Sequence, residues 1–175
     1  ADYIGMPCIL KDAHGGGWRD VYVVHSIDEL VAQYDQAGLL TMIVQEFIEW
    51  ENYARCMVLG QEKVHVMKYD PRQRHYHEEH DFSPELEERI IRDSLALCRA
   101  LGYDMNTVEF AVRDDIPYAI DFMNPAPDMD VNSLGNRHFQ WMVENMADLV
   151  IKLAKSDHST RERYVWGELA QKAGK

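Results

Sequence analysis

The sequence has few cysteines and no long apolar stretch. Its three cysteines, Cys8, Cys56 and Cys98, lie in apolar stretches and lack the CxxC spacing of metal or redox motifs. We interpret them as reduced core residues, which favours a cytoplasmic protein because disulfides are rare in that compartment. No apolar run approaches the ~18–20 residues that a membrane-spanning helix needs. The first residues also lack the basic and apolar regions of a signal peptide, so we expect no membrane partner.

Positive charge is scarce as well. The chain has 18 Lys and Arg against 30 Asp and Glu, and a formal net charge of −12. The basic residues are scattered, which argues against a nucleic-acid partner. An acidic protein that binds an anion must use a few local cations, backbone amides or a metal ion. The 175 residues amount to about one domain, of which 46% are hydrophobic and 27% charged, as in soluble globular proteins.

The pattern of apolar and turn residues predicts a small α/β unit followed by a larger one. In the first unit, residues 1–48, a strand ends in Lys11, a glycine-rich turn follows, and Ser26 with Glu29 forms a capping box at the start of a helix. The predicted elements of this unit are strands 7–12, 21–24 and 41–48 and a helix over 26–38. The second unit, residues 49–175, has strands 53–60, 62–69, 105–112 and 117–123, a loop over 70–82, and helices 83–102, 139–153 and 160–173. We therefore expect an α+β protein with a crevice between the two units.

Two carboxylates stand out in the predicted hairpin of the second unit. Apolar residues alternate along both strands, at 108, 110 and 112 and at 118, 120 and 122. A turn centred on Asp115 pairs Val112 with Tyr118 and Phe110 with Ile120. The same register places Glu109 opposite Asp121.

Carboxylates that face each other across strands repel, and a divalent cation between them removes the repulsion. Oxygen ligands suit Mg²⁺ or Mn²⁺. Asn124 could add an amide oxygen, but it lies on the opposite face of an ideal strand from Asp121, so a shared ion requires a bulge. The alternative is an acidic hairpin whose carboxylates are solvated.

The order of motifs resembles that of the ATP-grasp enzymes over about residues 4–155. Lys11 with the following HGGGWRDV and Ser-x-x-Glu helix resembles the second ATP-binding lysine and phosphate-covering loop of that family. QEFI at 45–48 resembles its hinge strand, and RCMVLG at 55–60 the strand after it. VEF at 108–110 with YAIDFMNPAP at 118–127 resembles the metal-binding hairpin. Each motif is weak alone, and their shared order carries the resemblance.

The resemblance implies an ATP-grasp fold of two α/β subdomains with mainly antiparallel sheets, and it implies roles for individual residues. The expected catalytic residues, which would contact phosphate or an acylphosphate, are Lys11, Arg55 and Lys68. The expected ATP-binding residues are Lys11, Gly15, Gly16, Gly17, Gln45, Glu46, Phe47, Ile48, Glu49 and Glu51. The expected ligands of Mg²⁺ or Mn²⁺ are Glu109, Asp121 and Asn124. For each group the alternative is an ordinary surface residue of a strand or loop.

The sequence departs from the family pattern in two ways. In the family the second metal ligand is usually Glu, and one residue separates it from the Asn. Here the corresponding residue is Asp121, and two residues separate it from Asn124. Either a bulge restores the geometry or the ligand set shifts to include Asp128 or Asp130. The family's first ATP-binding lysine and N-terminal substrate domain have no counterpart, and we expect them to precede residue 1. Whether this chain alone binds ATP is therefore left open.

A histidine-rich loop has three alternative interpretations. His75, His77 and His80 lie in the polar segment RQRHYHEEHD. The segment is a solvated loop, a loop that contacts substrate over the crevice, or a site for zinc or nickel.

The leading functional hypothesis is a ligase that binds ATP and metal and joins a small-molecule carboxylate to an amine or thiol through an acylphosphate, with a homodimer as a possible assembly. The first alternative is a non-catalytic nucleotide-binding or interaction module of a larger protein. The second is a kinase-like phosphotransferase that uses the same nucleotide site.

Overall fold

The computed structural model describes residues 3–156, together with Gly167 and Gln171. The helix predicted at 160–173 lies outside the described residues, apart from those two positions. The chain divides into two compact units, residues 1–49 and residues 50–175. The elements in chain order are β1 (Cys8–Asp12), β2 (Val21–Val24), α1 (Ile27–Gln36), β3 (Met42–Glu46), β4 (Asn52–Leu59), β5 (Lys63–Asp70), β6 (His75–Tyr76), α2 (Pro84–Leu101), β7 (Met105–Arg113), β8 (Ile116–Asn124) and α3 (Val131–Lys155).

Unit 1 is a three-stranded antiparallel sheet in the order β2-β1-β3, with α1 beside it. Cys8, Leu10 and Val24 form its buried core. The capping box predicted for α1 is present in part. Ser26 Oγ accepts a hydrogen bond from Glu29 N at 3.2 Å, while the Glu29 carboxylate accepts from His25 N, one residue before the cap.

Unit 2 is built on a five-stranded antiparallel sheet in the order β6-β5-β4-β7-β8. Because side chains alternate along a strand, β4 contributes to two separate cores. Ala54, Cys56 and Val58 belong to the cluster that includes residues of α2. Tyr53, Met57 and Leu59 belong to the cluster that includes residues of α3. The two faces of this sheet are called the α2 face and the α3 face below.

The helices of unit 2 follow the sequence signals to different extents. For α2 the prediction is confirmed, because Ser83 Oγ accepts from Leu86 N at 3.2 Å, Pro84 occupies the first turn, and Gly102 ends the helix at φ 74°. For α3 the helix predicted from the apolar residues at 139–153 is present, and it begins earlier, at Val131. Gly135, at φ 74° and ψ 164°, breaks the helical backbone near its start. The residues before 139, VNSLGNRH, are mostly polar, so the apolar pattern does not extend to this part of the helix.

Two further expectations are corrected by the strand pairing. The segment predicted as a loop over 70–82 contains the short strand β6, in which Tyr76 pairs with Tyr69 of β5. In the β7–β8 hairpin, Val112 pairs with Pro117 and Phe110 with Ala119, rather than with Tyr118 and Ile120.

The turn explains the corrected hairpin register. Asp114 and Asp115 are the two central residues, at φ 54° and 56°, a left-handed pair typical of two-residue hairpin turns. The ladder then shifts by one residue between Phe110 and Glu109, so the predicted pairing of Glu109 with Asp121 is present. Ile120 consequently packs with the α3-face cluster, whereas Ala119 and Phe122 pack with the α2-face cluster. A bulge at this point re-aims the side chains that follow it.

Candidate functional site

Three charged residues form a row across neighbouring strands of unit 2. Arg55 on β4 pairs directly with Glu109 on β7, and Glu109 pairs directly with Asp121 on β8. Directly opposed residues of antiparallel strands project from the same face. Arg55 follows Ala54, which faces α2, so the row lies on the α3 face.

Glu109 is held from the β4 side of this row. The Tyr53 hydroxyl donates a hydrogen bond to Glu109 Oε2, and Arg55 Nε lies 3.5 Å from Glu109 Oε1. The side chains of Arg55 and Glu109 are only 13% and 14% exposed. Asp121, on the other side of Glu109, is exposed. The glutamate therefore has a donor and a cation on one side and a second carboxylate on the other.

The guanidinium of Arg55 is enclosed by aromatic rings. Its central carbon lies 5.6 Å from the ring centroid of Tyr69 and 5.8 Å from that of Tyr76, within the range of a cation–π interaction. Burial, the largest single cause, lowers the pKa of Arg55, but Glu109 together with the neighbouring tyrosines Tyr76, Tyr69 and Tyr53 outweighs it, and the pKa is raised above its ordinary value. The arginine therefore remains a cation in a site that solvent barely reaches.

The donor set of the hairpin fits a small divalent cation. Carboxylate oxygens of Glu109 and Asp121 share one row, and the β7–β8 ladder has a second register shift between Glu109 and Thr107, which pairs with Asn124. The irregularity that a shared ion requires is therefore present between Asp121 and Asn124. Residues 3–156 hold no group of three His, Cys, Asp or Glu side chains placed to bind a metal. Two carboxylates suffice for Mg²⁺, which commonly keeps water and substrate phosphate as its other ligands.

Asp128 and Asp130 are engaged in the loop before α3. Asp128 Oδ2 accepts from Ser133 Oγ at 2.7 Å and Oδ1 accepts from Asp130 N at 2.9 Å. These hydrogen bonds, the one from Ser133 first, lower the pKa of Asp128. Asp130 caps α3, because its side chain accepts from Asn132 N at 2.7 Å. Both carboxylates thus have local structural partners.

Comparison with known proteins places this geometry in a familiar fold. No family model matches the chain. Mitochondrial pyruvate carboxylase of Rattus norvegicus is 31% identical over 62% of this chain, and pyruvate carboxylase of Bacillus subtilis is 29% identical over 69%. The matches span only 11% and 12% of those relatives' own lengths.

Solved structures give much wider coverage of this chain. A D-alanine–D-alanine ligase from Bacillus anthracis in complex with ATP superposes with a TM-score of 0.70 at 20% identity, over 90% of this chain and 55% of the ligase. The ADP complex of N5-carboxyaminoimidazole ribonucleotide synthetase superposes with a TM-score of 0.61 at 16% identity, over 85% of this chain and 43% of the synthetase. The chain has the ATP-grasp fold. The expected α+β class with antiparallel sheets is confirmed in both units.

The residues expected to bind phosphate in unit 1 lie on β1 and in the loop after it. Lys11 lies on β1, between Val21 of β2 and Ile43 of β3. Gly15, Gly16 and Gly17 lie in the β1–β2 loop, where Gly17 has φ 64°. Those residues keep their predicted roles as proposals.

The residues expected to contact adenine and ribose lie on and after β3. Gln45 and Glu46 close β3 opposite Ile9 and Cys8, and β3 is an edge strand of its sheet. Phe47, Ile48 and Glu49 follow β3. Glu51 begins the approach to β4, with its backbone N donating to Val112 O at 2.9 Å.

Lys68 is not brought to the row of charged residues. It pairs with Ala54 and therefore lies on the α2 face, opposite to Arg55. Its Nζ forms an ion pair with Asp81 Oδ1 at 2.6 Å. A role for Lys68 at the same phosphate as Arg55 receives no support from this placement.

The histidine-rich segment does not gather its three side chains. His75 belongs to β6, His77 donates its backbone N to Lys68 O at 3.0 Å, and His80 lies 3.5 Å from Glu87 and stacks on Phe82. The rings of His75 and His77 are 5.1 Å apart.

Sequence reasoning missed a histidine pair, of which His138 is buried and His65 half-buried, and it missed Tyr53. His65 Nε2 lies 2.8 Å from His138 Nδ1, and His138 Nε2 lies 2.9 Å from the carbonyl of His77. Because a carbonyl only accepts, His138 carries its proton on Nε2 and His65 donates to Nδ1. The two histidines are 73 residues apart, so no local pattern joins them. Tyr53 had a usable signal, since it precedes Arg55 by two residues and shares its strand face.

Proposed function

We propose that this ATP-grasp domain binds ATP together with Mg²⁺ or Mn²⁺, and that it serves a ligase that joins a carboxylate to an amine or thiol through an acylphosphate. The observation that carries the proposal is the row of Arg55, Glu109 and Asp121 on the α3 face. Support comes from the fold, because both solved structures compared above hold an adenine nucleotide and are a ligase and a synthetase by name.

The row suits a site that receives phosphate and metal together. Two opposed carboxylates are unfavourable in a folded protein unless a cation offsets them, and Arg55 offsets only one side. Arg55 Nε lies 3.5 Å from Glu109 Oε1, an ion pair without a hydrogen bond from this nitrogen. A guanidinium has five N–H donors, so one arginine can face Glu109 and also donate to a phosphate or carboxylate oxygen.

The proposed chemistry follows from charge. Attack by a substrate carboxylate on the γ-phosphorus of ATP forms an acylphosphate and releases ADP. Attack by an amine on the acyl carbon then forms the amide and releases phosphate. Mg²⁺, when bound, would neutralise charge on the phosphates. Glu109 and Asp121 would hold it, and Arg55 would donate to an oxygen of the anion while its aromatic neighbours exclude water. In unit 1, Lys11 and the amides of the glycine loop are the groups proposed to contact phosphate.

Titration of the purified chain with ATP, with and without MgCl₂, tests the nucleotide and metal steps. We expect Glu109→Gln and Asp121→Asn each to weaken magnesium-dependent binding about tenfold or more. The control is Asp115→Asn, which removes the same charge from the turn of the same hairpin at a left-handed φ that Asn tolerates. Equal effects of all three variants, or no ATP binding by the wild-type chain and by its full natural length, would contradict the proposal.

The alternative is a nucleotide-binding or interaction module without catalysis. The observation that favours it is that residues 3–156 supply two rather than three clustered carboxylates. Release of ADP by the protein in its full natural length, dependent on a particular carboxylate and amine, would exclude the module. A phosphorylated product without ligation would instead select a phosphotransferase.

A further inference from the structure

Tyr53 has a specific relation to the proposed metal ligand Glu109. Arg55 of β4 pairs directly with Glu109 of β7. Tyr53 lies two residues before Arg55 on the same face and is therefore the diagonal neighbour of Glu109. Its hydroxyl donates to Glu109 Oε2, while Arg55 Nε faces Oε1. The two oxygens of one carboxylate are therefore contacted by two different side chains from the same neighbouring strand.

From this arrangement we infer that Tyr53 is a positioning residue that fixes the Glu109 carboxylate for a cation bound between Glu109 and Asp121. The inference rests on the proposed function, because it assumes that Glu109 is a metal ligand. Tyr53 itself does not reach the cation in this assignment, and it acts through the hydrogen bond to Glu109. None of the resemblances described above assigns a role to this residue.

The Tyr53 side chain is buried and packed on both sides. Tyr53 is 3% exposed, and its ring packs edge-on against Trp50 at 5.7 Å between centroids and at a tilt against Tyr69 at 5.9 Å. An ionised carboxylate has acceptor oxygens only, so the phenol is the donor in this hydrogen bond and Glu109 is the acceptor.

Tyr53 and Arg55 contact Glu109 from the side opposite to the proposed cation. Glu109 lies on the strand between β4 and β8, so Tyr53 and Arg55 hold it from one side and Asp121 faces it from the other. A glutamate side chain has three rotatable bonds, and a free one must be ordered whenever it coordinates a metal. A carboxylate already held by Tyr53 and Arg55 loses less side-chain entropy when a cation binds between it and Asp121. Outer hydrogen-bond partners of metal ligands typically affect metal affinity by about 10–100-fold.

The test is Mn²⁺ binding, measured by electron paramagnetic resonance, for the wild-type chain and Tyr53→Phe, with and without ATP. We expect Tyr53→Phe to raise the Mn²⁺ concentration at half-saturation about tenfold, while ATP binding in the absence of metal changes less than about twofold. The matched control is Tyr118→Phe. Tyr118 lies in the same cross-strand row as Tyr53, through Ala111, but its hydroxyl contacts Arg113 rather than either carboxylate. It should bind Mn²⁺ as the wild type does.

Two further variants separate positioning from loss of structure. In a Glu109→Gln background, Tyr53→Phe should add almost nothing to the Mn²⁺ half-saturation, because the two residues act as one unit. A fluorinated tyrosine at position 53 keeps the ring and a stronger donor, and it should bind Mn²⁺ at least as well as the wild type. This second replacement keeps the inference testable if the Phe variant does not fold.

Each outcome has a distinct meaning. Unchanged Mn²⁺ binding in Tyr53→Phe, or equal losses of metal-free and metal-dependent ATP binding, overturns the positioning role while leaving the proposed function intact. Absence of both Mn²⁺ and ATP binding in the wild-type chain and in its full natural length overturns the proposed function and the positioning role together.

Discussion

Arg55 and Glu109 face each other on β4 and β7, with Nε of the arginine 3.5 Å from Oε1 of the glutamate and both side chains nearly buried. The pair joins the two central strands of unit 2 at the point where Glu109 also meets Asp121. Arg55 thus has a structural task in addition to the proposed contact with an anion, and the two can be separated by measuring stability and ligand binding on the same variants.

Removing Arg55 should destabilise the protein. Arg55→Met keeps much of the aliphatic volume but leaves Glu109 without its cation. We expect a loss of about 2 kcal/mol in the free energy of unfolding, below the ~3–5 kcal/mol seen for fully buried pairs because solvent still reaches both groups. Urea denaturation measures it. Arg92→Met, which removes an exposed arginine paired with Asp93 on α2, should cost less than about 0.5 kcal/mol. Equal losses for the two variants would show that the Arg55 pair is no more than a surface contact.

Removing the opposed carboxylate should have the reverse effect on stability. Without metal, Asp121→Asn relieves the repulsion with Glu109 and should stabilise the protein by about 0.5 kcal/mol. With Mg²⁺ and ATP present, the wild type should gain stability that this variant lacks. Thermal unfolding with and without Mg·ATP measures both effects. A variant that is less stable than the wild type without ligand would show that the two carboxylates do not repel.

Part of the site could be predicted from the sequence, for reasons visible in the hairpin. Glu109 was placed opposite Asp121 from the alternation of apolar residues, and this pairing is present although the pairings nearer the turn are wrong. The turn residues Asp114 and Asp115 adopt left-handed φ values that the pattern does not reveal. A one-residue error at the turn was then cancelled by the bulge at Ile120, whose position depends on packing against two different cores.

Other parts of the site were beyond local sequence patterns. The hydrogen bond between Tyr53 and Glu109 joins residues 56 apart, and it depends on which strands become neighbours. The face of Lys68 depends on its register with β4, because a shift of one residue moves every side chain to the other side of the sheet. The capped ends of α2 were predictable because each signal lies within a few residues of the end it marks.

The histidine pair should make stability depend on pH. Burial first, and then the charges of His138, Arg137 and His80, lower the pKa of His65 to about 4 from 6.5. Between these values the unfolded chain binds the proton and the folded chain does not, so stability falls as the pH drops from 6.5 to 4 and levels off below that. The loss from this residue is at most about 3 kcal/mol.

His65→Gln tests this dependence because glutamine does not titrate, and its amide can donate to His138 Nδ1 as His65 does. We expect the free energy of unfolding of the variant, measured in urea from pH 8 to pH 4, to fall less steeply than that of the wild type below pH 6.5. His25→Gln, at an exposed position, should follow the wild type. If the free energy of unfolding of His65→Gln falls with decreasing pH as steeply as that of the wild type, the acid sensitivity comes from other residues.

Gly60 should be intolerant of a side chain because of its backbone rather than its neighbours. It lies in the β4–β5 turn at φ 61°, and an added Cβ would lie 2.9 Å from Leu149 Cδ1, the flexible end of a side chain that can shift. A left-handed φ costs an ordinary residue about 1–2 kcal/mol, whereas asparagine adopts it more readily. Chemical denaturation should therefore show a loss of about 1–2 kcal/mol for Gly60→Ala and a smaller loss for Gly60→Asn, although both add the same Cβ. Gly16→Ala, where nothing lies within 4 Å of an added Cβ and φ is not left-handed, should change stability by less than about 0.5 kcal/mol. If Asn costs as much as Ala at position 60, the contact with Leu149 governs the position instead of φ.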